Sequence, residues 1–249
     1  MTIIRHLLSV ETSAFTILGY PMSYIELVGT LFYLWSVWLI ARRNIWTWPI
    51  GILSVSLYLL LFYQIQLYSD AIEQIYYLGA SGYGWWRWLK YKQETGSRDR
   101  VQFSSSRVLT GTIGLTLALA LIAGVCMRRI HLWFPVFFPE PASYPFLDAG
   151  TTILSFTAML LMAYKRTESW IYWIVVDVIG IWLYYVKEVR FVALLYVILL
   201  GMAAYGLRSW LNPRRNSLKS LAGGWSDQEA AEFSESVESC EQIDEDLWK

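Results

Sequence analysis

The chain has 249 residues, 56% of them apolar and only 16% charged, with 20 Lys and Arg balanced by 20 Asp and Glu. A mean hydropathy of +0.38 excludes an ordinary soluble domain, whose apolar runs are shorter and broken by polar residues. The zero net charge excludes nucleic-acid binding through bulk basicity, and two cysteines, Cys126 and Cys240, supply no disulfide or metal framework.

Residues 1–21 contain Arg5, His6 and Glu11, lack a signal-peptide core, and read as an amphipathic lead-in. Hydropathy then predicts three spans, from Met22 to Ala41, Ile45 to Ile65 and Asp70 to Leu89. They make residues 22–89 a first three-helix unit. A basic, Ser-rich loop over 90–106 leads to a fourth span, Val108 to Met127, which is plain in composition. The following stretch to Tyr144 holds Pro135, Pro139 and Pro141 and reads as an interfacial loop, so 90–144 is a connector. Spans five to seven run from Pro145 to Tyr164, Trp170 to Val186 and Phe191 to Trp210, giving a second unit over 145–211. Beyond Asn212-Pro213 the chain turns polar, and the acidic tail, 212–249, is expected to be disordered.

The two units are copies. A shift of 122 positions, the separation of Trp48 and Trp170, places Leu61 on Leu183, Ala71 on Ala193, Gly84 on Gly206 and Trp88 on Trp210 without a gap. Repeated hydrophobic units are an architecture of membrane transporters, with the solute held where the copies meet. Lys and Arg in the short loops (Arg42-Arg43, the loop from Lys90, Lys165-Arg166, and Arg208 to Lys219) all fall on one side, which predicts an outer N-terminus and a cytoplasmic C-terminus. Arg128 and Arg129 are the one contrary pair. Both copies then point the same way, which requires one crossing between them. The expected fold is all-α and integral to the membrane: seven transmembrane helices as two parallel three-helix repeats joined by a linker helix, 3+1+3.

Polar groups at membrane depth are expensive and mark functional sites by default. Asp70, Gln74, Tyr77 and Ser81 form a stripe along one helix face. Their repeat counterparts, Val192, Tyr196, Leu199 and Ala203, are largely apolar. In span six, Trp170, Trp173 and Asp177 share a face, with Asp177 about 10 Å along the axis from Trp170 by helical rise. Two indoles beside a carboxylate suit a flat cation or sugar hydroxyls. The plainer readings stay open: helix–helix hydrogen bonds for the stripe, belt anchoring for the tryptophans, and a structural role for Asp177. Pro49 either opens span two or kinks it near a gate. His6 and His131 have no ligand spacing, and no Gly-rich phosphate loop or Ser/His/Asp set is present. The chain is therefore expected not to be an enzyme, and to need no cofactor or metal.

Asn44-Ile-Trp-Thr-Trp48-Pro49, Tyr68-Ser-Asp70-Ala-Ile-Glu-Gln74, Tyr83-Gly-Trp-Trp86 and Trp170-Ile-Tyr-Trp173-Ile-Val-Val-Asp177 resemble the PnuC family of nicotinamide riboside transporters. The resemblance covers Glu26 to Trp210. It implies a fold like the SWEET sugar transporters and uptake of nicotinamide riboside, an NAD precursor, by facilitated diffusion across the inner (plasma) membrane. It further implies trapping of the solute by a cytoplasmic riboside kinase. The family's Asn-x-x-x-Trp pattern falls on Asn44 and Trp48, its Asp-Ala-x-x-Gln element on Asp70 and Gln74, and its Trp-x-x-Trp pattern on Trp170 and Trp173. With Tyr77, Ser81, Asp177 and Tyr196 these make the expected substrate site.

The expected partners are that solute and the lipid bilayer, with no nucleic acid; a homo-oligomer is compatible with the sequence. Family relatives handle other vitamins and nucleosides, so thiamine, riboflavin or a deoxynucleoside is the alternative cargo. Asp70, Glu73 and Asp177 as proton carriers would make the carrier a symporter. A membrane sensor or scaffold that uses the acidic tail to recruit a partner is a reading of a different class.

Overall fold

The computed structural model of the chain describes residues 9–10, 12–17, 20–95, 101–135, 141, 143–211, 228 and 232. Among them are seven long helices: α1 (Tyr24–Ala41), α2 (Thr47–Gln64), α3 (Tyr68–Thr95), α4 (Ser106–Trp133), α5 (Pro145–Ala163), α6 (Ser169–Val186) and α7 (Arg190–Leu211). Six are long and apolar enough to cross a bilayer. The exception, α3, has 28 residues, a length of about 42 Å by helical rise, and falls short in composition because it carries the polar stripe. It also runs past the expected end at Leu89, and α4 extends past Met127 so that Arg128 and Arg129 are helical.

In the lead-in, Ser13–Ile17 (β1) pairs antiparallel with Tyr20–Ser23 (β2) in a small hairpin, where Phe15 and Thr16 supply strand-favouring side chains. Ser23 then caps α1, its Oγ accepting the Glu26 N–H at 3.4 Å, a Ser-x-x-Glu helix start. The helix α2 begins at Thr47, so Pro49 sits in its first turn, where a missing N–H costs nothing. The opening reading of Pro49 holds and no kink is needed. The expectation of a disordered acidic tail lies outside the described residues, which there are only 228 and 232, and so does Pro139 in the interfacial loop.

Among the described residues, four that are not glycine adopt positive φ, at repeat-equivalent positions: Arg43 (58°) with Lys165 (55°), and Gln66 (60°) with Glu188 (62°). Each ends a helix in a Schellman motif. In α1, the Arg43 N–H reaches the Ile40 carbonyl and Asn44 N–H the Leu39 carbonyl, both at 2.9 Å; in α5, Lys165 reaches Met162 and Arg166 reaches Leu161, also at 2.9 Å.

The same carbonyls tie together helices distant in sequence. Trp88 of α3 donates its indole N–H to the Met162 carbonyl of α5 at 3.3 Å, and Trp210 of α7 donates to the Ile40 carbonyl of α1 at 3.1 Å. Trp88 and Trp210 are repeat equivalents, and so are Ile40 and Met162. The exchange is reciprocal in sequence: α3 caps the end of α5 and α7 caps the end of α1. The helix ends on this side bear the basic loops, and it is called the basic end below. The opposite end carries the hairpin, whose Tyr20 ring stacks on Phe191 at 5.4 Å.

Candidate functional site

At the basic end, Trp48 packs edge-on against Trp88 (5.4 Å, 84°) and Trp170 against Trp210 (5.6 Å, 87°). Gly84 and Gly206 are required there, because a Cβ at either would enter the six-membered ring of Trp48 or Trp170. The four indoles share one core with Ile40, Ala41, Met162, Ala163 and Ala203. Trp48 and Trp170 are 2% and 1% exposed, and their indole N–H groups have no hydrogen-bond partner among the described residues. A buried donor without an acceptor is costly, and here it occurs twice, at equivalent positions. Asn44 lies in the turn before α2, where its Oδ1 accepts the Trp46 N–H at 3.0 Å; it is exposed and shapes the turn.

Midway along the helices the symmetry ends. Asp177 is 3% exposed at the centre of α6, and no donor from a described residue reaches its carboxylate. Tyr33 of α1 lies within electrostatic reach of Asp177. Tyr77 of α3 is within electrostatic reach of Tyr33, Glu73 and Tyr196 and neighbours Ser155 on α5. Tyr196 of α7 covers Gly180, where any Cβ would strike its ring, and stacks on Tyr184 at 5.4 Å. Thus α1, α3, α5, α6 and α7 converge on one polar, aromatic cluster.

Trp173 connects this cluster to the tryptophan core: it is half-buried, packs against that core, and stands one helical turn from Asp177 on the same face. Gln74 and Asp70 lie one and two turns from Tyr77 towards the opposite end, both half-buried, and Ser81 lies one turn towards the basic end, 1% exposed. That opposite end carries several carboxylates. Glu73 neighbours Asp70 and Thr152, and Asp148 pairs with Lys187 at 3.7 Å.

The structure therefore groups Tyr77, Asp177 and Tyr196, sets Gln74 and Trp173 one helical turn from Tyr77 and Asp177, places Trp48, Trp170 and Ser81 in buried packing, and leaves Asn44 at a turn and Asp70 towards the opposite end. Sequence reasoning did not single out Tyr33, Ser155 or Tyr184. Tyr33 and Ser155 are repeat equivalents, and their exchange of a large phenol for a small hydroxyl deep within a span was the available signal.

Comparison with known proteins agrees with this architecture. Residues 23–212 match the family model described as nicotinamide mononucleotide transporter. The chain is 30% identical to the nicotinamide riboside transporter PnuC of Escherichia coli, over 79% of this chain and 89% of that protein. It is 26% identical to the riboflavin/roseoflavin transporter RibM of Streptomyces davaonensis, over 86% of this chain and 97% of that protein. A crystal structure of the vitamin B3 transporter PnuC superposes with a TM-score of 0.55 at 23% identity, covering 76% of this chain and 81% of the other, which supports the fold. The chain is a multi-pass membrane protein and belongs to the PnuC family of transporters, the family of the nicotinamide mononucleotide transporter model.

Proposed function

We propose that this protein carries nicotinamide riboside into the cell by facilitated diffusion, with a site between two parallel three-helix repeats joined by α4. The observation that carries this reading is Asp177: a buried carboxylate without a donor among the described residues, set among tyrosines contributed by both copies. Such a group favours a ligand that brings positive charge or hydroxyl donors. The pyridinium of the riboside is a flat cation suited to the face of Trp173, and its ribose hydroxyls suit Asp177, Gln74 and Tyr77. The acids Asp70 and Glu73 at the opposite end attract that cation towards the entrance.

The reciprocal indole-to-carbonyl bonds support the parallel relation of the repeats, because a pseudo-two-fold axis along the bundle exchanges one bond with the other. In this reading the tryptophan core is the gate at the basic end, closed here, and rocking of one repeat against the other opens it. Trp48 and Trp170 hold that gate, and their indole N–H groups gain an acceptor when it moves. Basic loops on the gate side support a cytoplasmic C-terminus in the plasma membrane.

The test is a binding panel on purified protein with nicotinamide riboside, its mononucleotide, nicotinamide, thiamine, riboflavin and a deoxynucleoside. The riboside is expected to bind best. Tighter binding of riboflavin would move the cargo to the second reading, which the similarity to the Streptomyces protein favours. Uptake into proteoliposomes is expected to ignore a protonophore; sensitivity to it would replace facilitated diffusion with symport.

A further inference from the structure

Beyond the central cluster, a cavity of about 270 Å³ opens at the basic end between α3 of the first copy and the α5–α6 turn of the second. Its lining contains four cations, Arg87, Lys90, Lys165 and Arg166, and no acid among the described residues. Three of them stand on aromatic faces, while Arg166 donates from its guanidinium to the Phe103 carbonyl at 3.4 Å. Arg87 lies 3.8 Å from the ring centre of Tyr164, Lys90 5.7 Å from that of Trp86, and Lys165 4.5 and 4.7 Å from those of Trp88 and Tyr91. Glu168, the nearest carboxylate in sequence, turns away and accepts the Ser104 N–H with both oxygens, at 3.1 and 3.3 Å. Backbone bonds hold the α3–α4 loop against the turn and so build one wall: Gln102 N–H to the Lys165 carbonyl at 3.3 Å and Thr167 N–H to the Gln102 carbonyl at 3.1 Å.

Loop charge for membrane orientation needs only to be near the surface. It does not require four cations around one recess, or an ammonium such as Lys165 that is 9% exposed. Nor does the fold require it. At the repeat-equivalent positions, Ser209 stands for Arg87, Asn212 for Lys90 and Asn44 for Arg166. A guanidinium stacked on a ring keeps its N–H edge free to fork onto phosphate oxygens, and the rings beside it offer a stacking surface.

We propose that this cavity is a second ligand site, for a phosphate-bearing molecule with a flat aromatic ring, of the nucleoside monophosphate class. The phosphate sits between Arg87 and Arg166, with Lys90 and Lys165 adding charge, and the ring lies on Tyr91 or Trp86. The site is separate from Asp177 and does not depend on which solute is carried. Its occupant bridges the two copies, since Arg87 and Lys90 belong to one and Lys165 and Arg166 to the other. A phospholipid headgroup offers the same phosphate chemistry, so the test separates the two sources.

Full-length protein is reconstituted in phosphatidylcholine nanodiscs and titrated with AMP, with adenosine as the phosphate-free control. A second preparation contains phosphatidylglycerol. AMP is expected to bind and adenosine not to. The variant Arg87→Gln/Arg166→Gln is expected to weaken AMP at least about tenfold, while Arg87→Lys/Arg166→Lys retains part of the affinity and riboside binding stays at wild-type strength in both. Stabilisation by phosphatidylglycerol that the Gln pair abolishes, without AMP binding, assigns the phosphate to lipid. Riboside binding by the variants reports that they are folded. If neither AMP nor phosphatidylglycerol responds to the Gln pair, the site does not exist.

Discussion

At the basic end and midway along the helices, the same two copies are built to different rules. Near the tryptophan core they are interchangeable. Trp48–Trp88 matches Trp170–Trp210 in distance and angle, Gly84 matches Gly206, and each copy caps the other's helix end through an indole. Midway the matches fail. Val55 stands where Asp177 does, Ser155 where Tyr33 does, Gln74 where Tyr196 does, and Tyr58 where Gly180 does. Tyr58 bonds Thr30 at 2.6 Å within its own copy, whereas the space over Gly180 is filled by Tyr196 from α7. In the proposed mechanism, the matched packing would allow two-fold rocking, and the unmatched chemistry at the centre would suit a solute with unlike ends.

The most damaging way to break this contrast is at the glycines. Gly84→Ala and Gly206→Ala each force a methyl into a buried, rigid indole, and each is expected to cost about 3 kcal/mol by overpacking. Thermal unfolding in detergent should show similar losses for the two; a loss in one alone would deny their equivalence. Trp173→Ala, in the asymmetric zone, is expected to weaken riboside binding by about 2 kcal/mol through the lost cation–π face, read by titration of the folded variant. Trp88→Phe and Trp210→Phe each remove one indole bond to a carbonyl of the other copy, at about 1 kcal/mol each. Their unfolding midpoints should fall together. Tyr77→Phe is the mildest change, expected to leave unfolding within about 0.5 kcal/mol of wild type while lowering riboside affinity by about 1 kcal/mol.

Much of this was legible before any coordinates. Apolar runs fix helices because a bilayer demands about 20 such residues, and the repeat supplies the pairing of Trp48 with Trp170. What was lost is what hydropathy flattens. The continuation of α3 from Leu89 to Thr95 is charged and polar, and the short strand Ser13–Ile17 gives no helical period. Tyr33 reads as one more aromatic in an apolar span until packing brings it to Asp177. The caps on Ile40 and Met162 are contacts between residues 170 and 74 positions apart, which no local pattern encodes. For the expected site, sequence grouped residues by helix face, while the structure sorts them by depth: Trp173, Asp177, Gln74, Tyr77 and Tyr196 near the centre, Trp48 and Trp170 in the closed end.

The central claim is that the broken symmetry at Asp177 selects the ligand. Calorimetric titration of nicotinamide riboside into purified wild-type protein and the Asp177→Asn variant, both checked for unchanged unfolding, tests it most directly. The account predicts saturable binding to the wild type, weakened by at least about tenfold in the variant through loss of a charge-assisted contact. Equal affinity in the two proteins would contradict it.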